Sequence, residues 1–220
     1  MKAVIFDMDG VLLDTESLTF RLGVEVMAEM GLTLTREIYV DTLGRTWGDT
    51  QVIYRRHFGP ELDMDVLRRR SVKAEKAHAE RYGYDIMPGV LTLLNWLEAH
   101  GIPVAVATSS ARARAEEKLS RSGLRERFAA IIGGDQVSRS KPEPDIYLAA
   151  AKALGLPPED CAVFEDSPAG VCAARAAGMA VAMVPDMVPA DSETAKLAST
   201  VLDSLAEAPA WLAGLANAKV

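Results

Sequence analysis

Asp7 and Asp9 stand two residues apart behind the short apolar run Ala3-Val4-Ile5-Phe6, and Gly10 follows them. Residues at i and i+2 of an extended chain project to the same side. Two carboxylates that close repel, so something must offset their charge. A second acidic pair, Glu165-Asp166, follows another apolar run, Cys161–Phe164. Clustered carboxylate oxygens suit a hard cation, and Mg²⁺ is the usual choice where phosphate is handled. Asp7, Asp9, Glu165 and Asp166 are therefore the candidate metal ligands. Beside such a cation an aspartate can attack phosphorus and form an aspartyl-phosphate. Asp7, directly at the end of the apolar run, is the better-fixed nucleophile. Asp9 is then the group that protonates the leaving oxygen and later activates water. Gly10 lets the backbone turn sharply after them.

Thr108-Ser109-Ser110 follows the run Pro103–Ala107 and offers hydroxyls and backbone N–H groups to a phosphoryl oxygen. A helix starting near Ala111 would aim its positive end at the same place; capping of that helix by Ser109 or Ser110 is the plainer reading of the same residues. Lys141, before Pro142, is a compact positive charge useful against phosphate and against an attacking aspartate. Pro142 biases it out of a helix and into a connecting loop.

These residues need a scaffold that brings them to one place. Five short apolar segments read as buried parallel strands: Ala3–Phe6, Pro103–Ala107, Ala129–Ile132, Cys161–Phe164 and Ala180–Val184. Helical patterns lie between them. Val90, Leu93, Leu94 and Leu97 fall at i, i+3, i+4, i+7 before Gly101; further helices end at Gly123, Gly155 and Gly178, the last opening with Ser167-Pro168. The pattern predicts an α/β fold, a Rossmann-like and mostly parallel sheet. In such sheets ligands bind at the carboxyl ends of the strands, where every residue above would stand. Residues 16–85 break the rhythm with helical segments only (Leu18, Leu22, Val26 and Met30 step by four). They read as a small α-helical cap domain inserted after the first strand, with residues 1–15 and 86–220 forming the catalytic core. The Ala-rich tail from Ala208 reads as a helix.

Within the insertion, Gly44-Arg45-Thr46-Trp47-Gly48 reads as a glycine-flanked loop with a guanidinium and an aromatic ring. Arg45 suits a second phosphate or sugar hydroxyls, and Trp47 a sugar face; a surface turn with Trp47 in the cap core is the alternative. Gly44, Arg45, Thr46 and Trp47, with Arg70 from the run Arg68-Arg69-Arg70, are the candidate substrate-binding residues.

The chain has 220 residues and a formal net charge of −7, which disfavours a nucleic-acid binder but leaves room for a small anionic substrate. Its two cysteines, Cys161 and Cys172, form no metal-binding pattern and read as buried thiols of a reducing compartment. No apolar stretch has the length of a membrane span. The expectation is a cytoplasmic monomer acting on a small phosphorylated metabolite, with neither nucleic acid nor membrane as partner.

The run DMDGVLLDTE from Asp7, TSS at Thr108, SKPEPDIY at Ser140–Tyr147 and EDSPAGVCAARAAGM from Glu165 together resemble the haloacid dehalogenase-like hydrolases, in the β-phosphoglucomutase and sugar-phosphate phosphatase branch. The resemblance spans the chain in the right order. It implies Asp7 as nucleophile and Mg²⁺ ligand, and Asp9 as general acid/base that also gives its backbone carbonyl to the metal. It implies Thr108 and the Ser109 N–H as phosphoryl-binding groups and Lys141 as a stabilising charge. Asp166 would be a metal ligand, and Glu165 a ligand or a group behind one. The mutase typically carries a histidine shortly after the Asp-Thr pair; here Ser17-Leu18-Thr19-Phe20 has none. This favours a phosphatase over the alternative, a phosphohexomutase. A signalling receiver domain also gathers acids, a hydroxyl and a lysine, but it is shorter and lacks the helical insertion. An idle binding protein would be expected to have lost Asp9 or Lys141.

Overall fold

The computed structural model describes residues 1–43, 45 and 47–217. The chain forms two compact units, one of residues 1–14 with 84–220 and one of residues 15–83.

The first unit is built on six parallel strands: β1 (Ala3–Phe6), β2 (Val104–Thr108), β3 (Ala130–Gly133), β4 (Cys161–Glu165), β5 (Ala180–Met183) and β6 (Thr200–Val201). Their order is β3-β2-β1-β4-β5-β6. All pairs are parallel, with Val4 opposite Val104 and Ala162, and Phe6 opposite Val106 and Phe164. The chain winds one way from β1 to β3 and the other way from β4 to β6. The direction therefore reverses between β1 and β4, and it is outside the carboxyl ends of strands at such a switch point that open α/β sheets bind ligands.

Both faces are covered, which is why the strands read as unbroken apolar runs. Even-numbered residues of β1, Val4 and Phe6, pack with Leu93 and Leu97 of α5 (Val90–Ala99) and Leu119 of α6 (Arg112–Arg121). Odd-numbered residues, Ala3 and Ile5, pack with Tyr147 and Ala150 of α7 (Asp145–Ala153) and Val171 of α8 (Pro168–Ala176). Phe164 stacks on Phe6 with ring centroids 5.3 Å apart and meets the Trp211 edge from α10 (Ala208–Asn217) at 5.5 Å.

The regular elements among the described residues of the second unit are helices: α1 (Thr15–Glu29), α2 (Arg36–Val40), α3 (Trp47–Phe58) and α4 (Met64–Tyr82). Leu18, Leu22 and Val26 form the buried stripe of α1, and Leu67 and Ala79 that of α4. Asp63 caps α4 by accepting from the N–H groups of Asp65 and Val66. The Tyr39 hydroxyl donates to the Glu16 carboxylate at 2.8 Å, tying α2 to α1.

The sequence reading misses β6 and α9 (Ser192–Leu197) before it. Two residues at a sheet edge are too few for a hydrophobic period to register. No described helix is long and apolar enough to cross a membrane. Because Phe164 is fully buried between two rings, Phe164→Ala is expected to cost about 3–5 kcal/mol, read as a lowered urea midpoint.

Candidate active site

The ends of β1 and β4 carry the acids. The ladder continues past β1, since the Asp7 N–H donates to the Phe164 carbonyl at 2.9 Å. Asp7 therefore keeps the strand's alternation and shares a side with Ile5, toward α7 and α8. Glu165 closes β4 on that same side. The loop after β3 brings Lys141 between them. Its Nζ donates to Asp7 Oδ1 and to Glu165 Oε1, each at 2.5 Å, and to the Ala107 carbonyl at 3.4 Å. The Tyr147 hydroxyl donates to Glu165 Oε1 at 2.7 Å, and the Lys141 ammonium lies 5.1 Å from the Tyr147 ring centroid.

Glu165 is wholly buried, and its second oxygen is also in use. Oε2 accepts from the Asp166 N–H, the Ser167 N–H and the Ser167 hydroxyl, all at 3.0 Å. Of the two readings of Glu165, a metal ligand or a group behind one, its five protein donors fit the second. It holds Lys141. Its carboxylate lies where a Cβ on Gly170 would sit, so the start of α8 approaches this closely only because residue 170 has no side chain. Gly10, at a φ of +79°, plays the same part for Asp166, whose carboxylate would overlap any Cβ there.

The other side of the sheet supplies Asp9's partners. Thr108 is the last residue of β2 rather than the first of the loop, and its Oγ1 accepts from the Ser110 N–H at 3.1 Å. The helix that follows is not capped by Ser109 or Ser110; the Asp135 carboxylate accepts from the Arg112 N–H at 2.8 Å instead, and the Ser110 hydroxyl turns to Asp9 Oδ2 at 3.2 Å. Asp9 Oδ1 accepts from Lys118 Nζ of α6 at 2.7 Å. Ser109 is exposed beside these groups.

Charge at this rim is not balanced. Asp7, Asp9, Glu165 and Asp166 face two ammonium groups, Lys141 and Lys118. Burial pushes the Asp7 carboxyl up to about 7, against the pull of Lys141 and aided by Glu165 and Asp9. Burial, then Glu165 and Asp7, holds Asp166 well above the usual carboxylate range. Burial also opposes charge on Glu165, but Lys141 and the donors of Ser167 and Tyr147 outweigh it and keep its carboxyl low. Lys141 stays charged despite burial because Asp7 and Glu165 flank it. Four carboxyls against two ammonium groups leave two acids whose ionisation burial and repulsion oppose, and a divalent cation would offset that charge. Asp7 and Asp166 are the side chains suited to it. Among the described residues no three acidic, imidazole or thiol groups already stand together as a ligand set.

In the helical unit, Arg45 is exposed, and Gly44 and Thr46 lie outside the described residues. Trp47 is the first residue of α3, not part of a loop. It is 37% exposed, which excludes the core position, and the Arg68 guanidinium carbon lies 5.3 Å from its ring centroid. Arg70 pairs with Glu29 at 3.6 Å.

A parallel α/β sheet with an aspartate and a buried lysine at its switch point defines a class of enzymes that act on phosphate groups. A family model described as Haloacid dehalogenase-like hydrolase matches residues 4–184, and the chain belongs to that family. Its relatives include the Phosphorylated carbohydrates phosphatase of Thermotoga maritima, 36% identical over 81% of this chain and 82% of that one. The Fructose-1-phosphate phosphatase of Escherichia coli K12 is 37% identical over 80% and 92%. The chain spans only 17% of a much longer relative from Arabidopsis thaliana. A solved haloacid dehalogenase family hydrolase from Deinococcus radiodurans R1, with bound phosphate and sodium, superposes with a TM-score of 0.83 at 33% identity, covering 98% of this chain and 96% of that one.

Sequence reasoning left Lys118 and Tyr147 without a role. Lys118 carried a signal: with Ala115 and Leu119 it occupies the buried i, i+3, i+4 stripe of α6, where a charged residue needs a partner. Two substitutions check the site's electrostatics. Gly170→Ala is expected to displace the Glu165 carboxylate and cost about 3 kcal/mol in urea denaturation; an unchanged midpoint would refute the close packing. Asp166→Asn, which removes a buried carboxyl that is costly to ionise beside Glu165 and Asp7, is expected to raise the melting temperature of the metal-free protein by about 2–4 °C and to abolish any further rise on adding Mg²⁺.

Proposed function

We propose that the protein is a Mg²⁺-dependent phosphatase that hydrolyses a small sugar phosphate through an aspartyl-phosphate on Asp7. The observation that carries this reading is the buried Asp7 carboxylate at the switch point, fixed through Oδ1 by Lys141. Lys141 turns the other oxygen, Oδ2, into the attacking one and offsets charge as phosphorus is approached. Thr108 and the Ser109 N–H receive the phosphoryl oxygens. Asp9 gives its proton to the departing alkoxide, then takes one from the water that releases phosphate. Asp7, the Asp9 carbonyl and Asp166 would hold a Mg²⁺, which would supply positive charge against the phosphate's own. Glu165 and Tyr147 keep Lys141 in position from behind.

Two relatives named as sugar-phosphate phosphatases support the substrate class. The helical insertion, read as a cap over residues 16–85, is the part that selects among esters. Arg45 and Trp47 are its candidate sugar contacts, with Gly44, Thr46 and Arg70 beside them.

The test is phosphate release from a panel of sugar phosphates, nucleotides and small esters, with Mg²⁺ and with EDTA. Release is expected for sugar phosphates, to be lost with EDTA, and to fall at least 10³-fold in Asp7→Asn. Interconversion of hexose phosphates without release would replace hydrolysis by the mutase reaction.

A further inference from the structure

Asp9 must present one carboxylate oxygen to the ester oxygen it protonates, yet it stands on a turn that does not by itself fix its side chain. Its Oδ1 accepts from Lys118 Nζ at 2.7 Å and its Oδ2 from the Ser110 hydroxyl at 3.2 Å. The Lys118 side chain is 5% exposed and that of Asp9 26%. The lysine thus lies inside the unit and the aspartate at its edge, open on one side. The Lys118 ammonium also lies 5.4 Å from the Tyr84 ring centroid, which walls it from solvent. Ala115 and Leu119, the neighbours of Lys118 on the inner stripe of α6, are fully buried. A lysine on such a stripe is costly unless paired. Here its charge is aimed from the opposite face of the sheet to the one that delivers Lys141.

We propose that Lys118 is a positioning residue for Asp9: it anchors Oδ1 so that Oδ2, shared with the weaker Ser110 contact, is the oxygen that exchanges protons with leaving group and water. The site then has two lysines with separate tasks. Lys141 orients the nucleophile and Lys118 orients the acid/base. This rests on the assignment of Asp9 as general acid.

The experiment compares kcat/KM for two esters in Lys118→Met, Lys118→Gln and Lys118→Arg. One ester is the best sugar phosphate of the panel above; the other is p-nitrophenyl phosphate. Because kcat/KM covers steps up to formation of the aspartyl-phosphate, it senses leaving-group protonation. An alkoxide needs that proton and p-nitrophenolate does not. Lys118→Met and Lys118→Gln are expected to lose about 30-fold or more on the sugar phosphate, within the range of a general acid, and under about threefold on p-nitrophenyl phosphate. Lys118→Arg is expected to recover most of the loss. Equal losses on both esters, no loss, or failure of both neutral variants to fold would overturn the proposal by showing that the lysine serves the core alone. Asp9→Asn is the control: if it shows no preference between the esters, the acid assignment itself falls, whatever Lys118 does.

Discussion

Four carboxylates crowd the carboxyl ends of two adjacent strands, and the rest of the catalytic unit is arranged around their repulsion. A protein interior does not tolerate such a cluster without compensation. Lys141 answers part of it by lying between Asp7 and Glu165 at 2.5 Å from each. That single cation links the loop after β3 to the ends of β1 and β4. It also divides the acids by fate. Glu165 is saturated by protein donors and stays charged. Burial pushes Asp7 and Asp166 upward, with Glu165 and Asp9 adding to the push on Asp7, and Glu165 and Asp7 to that on Asp166. A divalent cation would offset the charge those two acids are reluctant to carry, which is what makes the place suited to a cation and a phosphate together.

The sheet's alternation decides which lysine serves which acid. Odd positions of β1 and β4 face α7 and α8, so Asp7 and Glu165 meet Tyr147 and Lys141 there. Even positions of β2 face α5 and α6, so Thr108 lies on the side from which Lys118 reaches Asp9. Backbone economy matters as much as charge. Gly10 and Gly170 have no side chains because Asp166 and Glu165 fill the space where those side chains would be.

Much of this was legible from sequence. Strands buried on both faces appear as contiguous apolar runs, the acids and Thr108 stand at their ends and Lys141 in the loop beyond the third, so the rim could be listed residue by residue. The rest was hidden for physical reasons. A charged residue on a helix is ordinarily solvated, so Lys118 stood out only by its place on the Ala115–Leu119 stripe. Glu165 and Asp166 are indistinguishable as neighbours in sequence; only the donors of Ser167 and Tyr147 separate the buried anchor from the candidate ligand. Strand β6 is too short to show a period. In the helical unit, side-chain direction depends on packing that periodicity does not report, as Trp47 opening α3 beneath Arg68 shows.

Every role proposed at this rim depends on Asp7 forming a covalent bond to phosphorus. The direct measurement is to quench the enzyme with acid during turnover of a sugar phosphate labelled with ³²P, reduce with borohydride, and map the modified peptide by mass spectrometry. Label retained on the protein in acid, with reduction confined to the Asp7 carboxyl, is the predicted result. Phosphate release with no labelled protein, or label on any other residue, would contradict it.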